Sequence, residues 1–166
     1  MNGSESQDNA RAPIVVGVDG TPASVEALAF ALREGALRGT SVRCITAWHF
    51  DGPDDGWLAP ESIAQARDNA EASQAAALAA AHAQVQSARE VTREVVQGSP
   101  GRVLVDAARD AAYLVVGTAH KNVAQRTFLG SVSHYCVQHA TVPVVVVPAP
   151  ARAPRAAARS AGQAGR

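Results

Sequence analysis

Pro13-Ile14-Val15-Val16-Gly17-Val18-Asp19-Gly20 is the stretch from which the rest of the chain is read. Its core is β-branched and apolar at consecutive positions, a pattern that predicts a short strand covered on both faces, ended by the Asp-Gly turn. Just downstream, Val25, Leu28, Ala29, Leu32, Ala36 and Leu37 recur at three and four residues, with Thr21 or Ser24 as the cap and Gly39 near the end. That spacing predicts a helix after the strand.

The same alternation continues outward. Ser41 to Trp48 reads as a second strand, with Val42, Cys44 and Thr46 alternating against Arg43, Ile45 and Ala47. His49 to Pro60 is rich in Gly, Asp and Pro and reads as a loop. From Glu61 to about Arg89 the chain is dense in Ala, Gln, Glu and Arg and holds no Gly or Pro, which predicts one long helix. Its apolar face is mostly alanine, so it can lie close to a sheet but depends on docking for stability. A third strand is expected from Glu90 to Gln97, and Gly98-Ser99-Pro100-Gly101 turns into a helix from Arg102 to Asp110. Tyr113 to Val116 reads as a fourth strand bounded by Gly117, and a polar segment runs to Leu129. A helix from about Ser131 to His139 and a last strand from Pro143 to Val147 complete the order β-α-β-α-β-α-β-α-β. Apolar strands separated by helices imply a doubly wound α/β domain, all parallel, with right-handed crossovers.

The domain so delimited is 13–148, and 166 residues at 47% hydrophobic composition suit one such unit with tails. Residues 1–12 are polar, and 149–166 are rich in Ala, Pro, Arg and Gly without a large apolar side chain; both are expected to be disordered. The net charge of zero divides unevenly. Glu5, Asp8 and Arg11 leave 1–12 at −1, while Arg152, Arg155, Arg159 and Arg166 leave 149–166 at +4, so the domain carries about −3. That balance argues against a nucleic-acid partner, and a solvated tail is the ordinary reading of four spread arginines. The valine-rich run Val142 to Val147 is interrupted by Pro143, and no apolar run approaches the roughly 20 residues that span a bilayer. Met1 to Arg11 has no apolar segment of the secretory kind. Cys44 and Cys136 show no metal-ligand or CxxC spacing and suit buried positions in a reducing compartment, so a cytoplasmic protein with no membrane contact is expected.

In open α/β sheets ligands bind beyond the carboxyl ends of the strands, where strand order reverses. Two strand ends carry suitable residues: Val16-Gly17-Val18-Asp19-Gly20, which sets a carboxylate on the loop leaving the first, and Gly117-Thr118-Ala119-His120 after the fourth, followed by Gly130-Ser131-Val132-Ser133 at a helix start. A glycine and two hydroxyls at a helix N-terminus can hold a phosphate, and they can equally be ordinary capping, as Asp19 can be a turn former. His134 and His139 lie five apart, which does not put two ligands on one helix face, and no Walker, G-x-G-x-x-G or G-x-S-x-G motif occurs. No metal site and no catalytic residue is assigned.

The segment Gly117 to Ser133 resembles the signature of universal stress proteins, G-x2-G-x9-G-[S/T], in the register Gly117, His120, Gly130, Ser131. The opening Ile14 to Thr21, the turn Gly98-Ser99-Pro100 and the final Pro143 to Val147 match that family's layout, so the resemblance covers nearly all of 13–148. It implies an adenine nucleotide alpha hydrolase-like, five-stranded parallel sheet in the order 3-2-1-4-5. It also implies an adenine nucleotide such as ATP, with Mg²⁺ as a candidate companion. Carried over by position, Gly17, Val18 and Asp19 would face the adenosine, Ala47 would line the adenine pocket, and Val116 and Gly117 would border the nucleotide. Gly130, Ser131, Val132 and Ser133 would take the phosphates. His120 departs from the pattern, standing where the motif has its second glycine; its side chain narrows the approach of a phosphate, or with Lys121 and Arg126 contacts it.

The last strand carries its own inference. Pro143 to Pro148 is apolar on both faces and lacks a charged gatekeeper, which predicts that a second copy covers it. The resemblance likewise implies a homodimer through that strand. The function expected is a cytoplasmic stress-response dimer acting as sensor or scaffold toward a protein partner, more a binder than an enzyme. The alternative is slow ATP hydrolysis or nucleotidyl transfer in the same cleft, for which Asp19 is the one obvious carboxylate.

Overall fold

The computed structural model describes residues 11–49, 60–85, 91–118 and 129–149. Nine elements alternate along them: β1 (Ile14–Gly17), α1 (Pro22–Arg38), β2 (Val42–Trp48), α2 (Pro60–Gln84), β3 (Val91–Gln97), α3 (Pro100–Ala107), β4 (Tyr113–Thr118), α4 (Ser131–His139) and β5 (Val144–Pro148). The five strands form one parallel sheet in the order β3-β2-β1-β4-β5. This is the doubly wound α/β sheet that the alternation predicts.

The even apolarity of β1 has a direct cause. Ile14 and Val16 bury against α1 and α2 in one core cluster with Leu28, Leu32, Cys44 and Val115. Val15 points the other way, into a cluster with Ile45, Leu104, Leu114 and Cys136. Successive side chains of a strand face opposite layers, so a strand between two helical layers must be apolar at every position. Both cysteines belong to these clusters, and burial pushes their thiols up, to about 12 for Cys44 and about 11 for Cys136.

α1 starts as its sequence directs. Thr21 is the N-cap, its hydroxyl accepting from Ser24 N at 3.3 Å, and Pro22 presets the first turn. Gly39 closes it in the left-handed region at φ 68°.

Several boundaries differ from expectation. α2 ends at Gln84 rather than near Arg89: Val85 N bonds back to His82 O at 3.2 Å, and the Val85 side chain packs on the first core cluster. No Gly or Pro marks that stop, because what ends the helix is a distant apolar contact. Residues 86–90 lie outside the described residues. β3 starts at Val91, one residue later than read, where its pairing with Val42 begins. α3 begins at Pro100 behind Ser99 and ends at Ala107, earlier at both ends than read, because proline is accommodated in a first turn that needs no N–H from it. β4 runs through Gly117 to Thr118, since Gly117 and Thr118 remain in register with Val147 and Pro148 of β5.

One buried polar side chain sets how α2 lies on the sheet. Gln74, 1% exposed, donates from Nε2 to Cys44 O at 3.1 Å, Thr46 Oγ1 at 3.1 Å and Glu94 O at 2.9 Å. Thr46 in turn donates its hydroxyl to Val18 O at 2.8 Å. A chain of hydrogen bonds thus runs from the alanine-rich helix to the loop leaving β1, and α2 gains from polar pairing a register that its small apolar face does not impose.

Candidate functional site

Strand order reverses between β1 and β4, the kind of place where ligands bind in open α/β sheets. A cavity of about 430 Å³ opens there. Gly17, Val18, Asp19, Ala47, Val116, Gly117, Gly130, Ser131, Val132 and Ser133 all line it. His120, Lys121 and Arg126 lie outside the described residues. Four separate elements and their connections therefore bring the remaining candidate residues to one place.

Each wall has an identifiable cause. Gly20, at φ 79°, turns the chain out of β1, and Asp19 holds the turn. Its Oδ1 accepts from Thr21 N at 3.0 Å and from Thr21 Oγ1 at 2.6 Å. The carboxylate is engaged as the turn former that was one of its two readings. Ile45, Ala47, Val116 and Leu104 supply an apolar wall suited to a flat ring. On the far side, Ser133, 2% exposed, donates its hydroxyl to Gly117 O at 3.1 Å and so ties the first turn of α4 to the end of β4. Its proton is occupied by that latch.

The two outer motif glycines answer different demands. A Cβ on Gly117 would meet Ala23 C and O at 2.6 Å and Ser24 N at 2.8 Å, so β4 and the start of α1 touch backbone to backbone. Gly130, the N-cap of α4, has an ordinary φ of −61°, and among the described residues a Cβ there would meet nothing nearer than Ser133 Oγ at 4.0 Å. Neither its conformation nor its packing against the described residues calls for glycine at 130; what its small size preserves among them is open space. No side chain caps α4, so its first-turn amides face the cavity edge without a side-chain acceptor.

Reading the sequence missed several lining residues. Thr21, Ala23 and Ser24 at the start of α1, Pro100 and Leu104 of α3 and Ile45 of β2 also line the cavity, as does Thr118 of β4, which lay in a quoted strand end without a role of its own. Leu104 carries no distinguishing signal, because an apolar residue at a helical core position looks the same whether it faces core or cavity. Thr118 occupies a free position of the glycine motif. The histidines do not gather: among the described residues no group of three or more His, Cys, Asp or Glu is placed to hold a metal. His139 stacks on Tyr135 with ring centroids 4.1 Å apart, a contact within α4. No described helix is long and apolar enough to cross a membrane.

A model of the Universal stress protein family matches residues 11–148. A universal stress protein of Mycobacterium tuberculosis (strain ATCC 25618 / H37Rv) is 32% identical over 164 residues, covering 86% of this chain and 51% of that protein. The chain spans about half the length of the curated relatives it matches. Among solved structures, the universal stress protein of Archaeoglobus fulgidus in complex with dAMP aligns with a TM-score of 0.51 at 23% identity, covering 82% of this chain and 97% of that one. A universal stress protein family protein of Arabidopsis thaliana with AMP bound aligns with a TM-score of 0.56 at 16% identity, covering 84% and 93%. At these identities the two structures speak for the fold.

Proposed function

The chain belongs to the universal stress protein family, and from that premise we propose that it is a nucleotide-binding member: a cytoplasmic, dimeric stress-response protein that binds an adenine nucleotide in the β1/β4 cleft and signals to a protein partner. The observation that carries the reading is Gly130. A glycine required neither by its backbone nor by packing against the described residues, at a helix N-terminus without a side-chain cap on the rim of a cavity of about 430 Å³, is what a bound anion needs to reach main-chain N–H groups. The apolar wall opposite suits a purine, and relatives of the same fold have AMP or dAMP bound. ATP, with Mg²⁺, is the larger ligand of the same class.

Binding fits the residues better than catalysis. Asp19 is the one acidic side chain among the described lining residues, and its engagement with both polar groups of Thr21 leaves it poorly placed to act as a base. Denaturing the purified protein is expected to release adenine nucleotide, and calorimetry is expected to show saturable binding of AMP or ATP below the millimolar range. No uptake of AMP or ATP at millimolar concentration, with or without Mg²⁺, overturns the nucleotide reading.

The dimer rests on the contrast between the two sheet edges. β3 exposes Thr92, Arg93 and Gln97, polar groups that discourage strand addition. β5 presents Val144 to Val147, half-buried on both faces, between Pro143 and Pro148 and without a charge. A second copy packed along β5 completes their burial. The Val145→Asp variant is therefore expected to sediment as a monomer, and a dimer that survives the substitution places the interface elsewhere.

A further inference from the structure

Beyond the cleft's general suitability, one atom in it is unmatched. Thr118 is 5% exposed and lines the cavity, yet its Oγ1 is buried and has no hydrogen-bond partner among the described residues. A buried hydroxyl in that condition loses its water without compensation, and native structures seldom tolerate it unless something else completes the bond.

The register of β4 indicates which side that partner occupies. Gly117 directs its missing Cβ at Ala23 and Ser24, on the α1 side of the sheet. Side chains alternate along a strand, so Thr118 leaves the opposite face, shared with Leu114 and Val116 and covered by α3 and α4. That is the face on which Ser133 of α4 reaches Gly117 O at 3.1 Å. The unmatched hydroxyl and the uncapped first turn of α4 therefore stand on the same side of the cavity. Among the described lining residues no Lys, Arg or His offers a positive charge, and the donors that these residues present to an anion are neutral.

We propose that Thr118 binds the nucleotide's phosphate, its hydroxyl donating to a phosphate oxygen beside the first-turn amides of α4. The proposal rests on the nucleotide reading of the cleft and adds a specificity-determining residue to it: Thr118 makes the site prefer a phosphorylated nucleoside over the bare nucleoside.

The test pairs Thr118→Val, which keeps the shape and removes the hydroxyl, with Thr118→Ser, which keeps the hydroxyl. Calorimetry with AMP and with adenosine, and melting of the ligand-free proteins, are the readouts. Thr118→Val is expected to weaken AMP binding about tenfold or more, leave adenosine binding unchanged, and melt slightly higher than the parent without ligand. Thr118→Ser is expected to bind AMP within a few-fold of the parent. Opposite signs for stability and affinity distinguish a ligand contact from a structural hydroxyl, whose loss would lower the melting temperature. AMP binding by Thr118→Val equal to the parent's, or an equal loss for adenosine, overturns the proposal while the nucleotide reading stands. A parent protein that binds no AMP overturns both.

Discussion

A Gly130→Val variant is expected to melt within a few degrees of the parent and to bind no AMP at concentrations that saturate the parent. The fold should survive because position 130 makes no demand for glycine. Its φ of −61° is open to any residue, and the nearest atom to a built Cβ among the described residues is 4.0 Å away. Valine is a poorer N-cap than glycine by about 1 kcal/mol, which lowers the melting temperature by only a few degrees. Binding should fail because the isopropyl group enters the space through which an anion reaches the first-turn N–H groups of α4, and a phosphate held off by one methyl layer loses its hydrogen bonds outright. Circular dichroism and melting check the fold, and calorimetry checks the binding. Retained AMP affinity in a folded Gly130→Val protein would put the phosphate elsewhere and remove the main support for the nucleotide reading.

Gly117→Ala carries the largest expected stability effect, on the order of 3 kcal/mol, or a fall in melting temperature of roughly 10 °C. The added methyl would stand 2.6 Å from the backbone carbonyl of Ala23 and 2.8 Å from Ser24 N. Backbone cannot swing aside as a side-chain tip does. Ala23 and Ser24 lie in the first turn of α1, whose start is already held by Thr21 and Pro22, and Gly117 is paired to Val147. Relief therefore requires α1 and β4 to move apart along a buried seam. Thermal unfolding measures the cost, and a Gly117→Ala protein that melts within two degrees of the parent would show that this backbone contact is slack. The contrast with position 130 is informative in itself. Both glycines belong to one motif, yet one is required by the fold and the other leaves open space at the cavity rim among the described residues.

The sheet and most element boundaries were legible because their causes are local. The consecutive apolar residues Ile14, Val15 and Val16, the Thr21-Pro22 start, the left-handed Gly39 and the valines of β5 each announce themselves within a few residues of chain. The reach of α2 was not, since Val85 turns inward for a core that the neighbouring sequence does not reveal. Nor were the extra lining residues from α3, which sit at positions that periodicity alone would assign to the core.

By itself, then, the amino-acid sequence determined the parallel α/β order and the family, because strand and helix periods, caps and turn glycines act over short distances. Tertiary structure alone decided which groups most of the candidate residues meet. The Ser133 hydroxyl is taken by Gly117 O, Gly117 abuts Ala23, and the Thr118 hydroxyl is left unmatched among the described residues. Nearly all of these relations join, or leave unjoined, groups that meet only after the sheet has assembled, and one-dimensional spacing carries no record of which polar atom finds a partner and which does not.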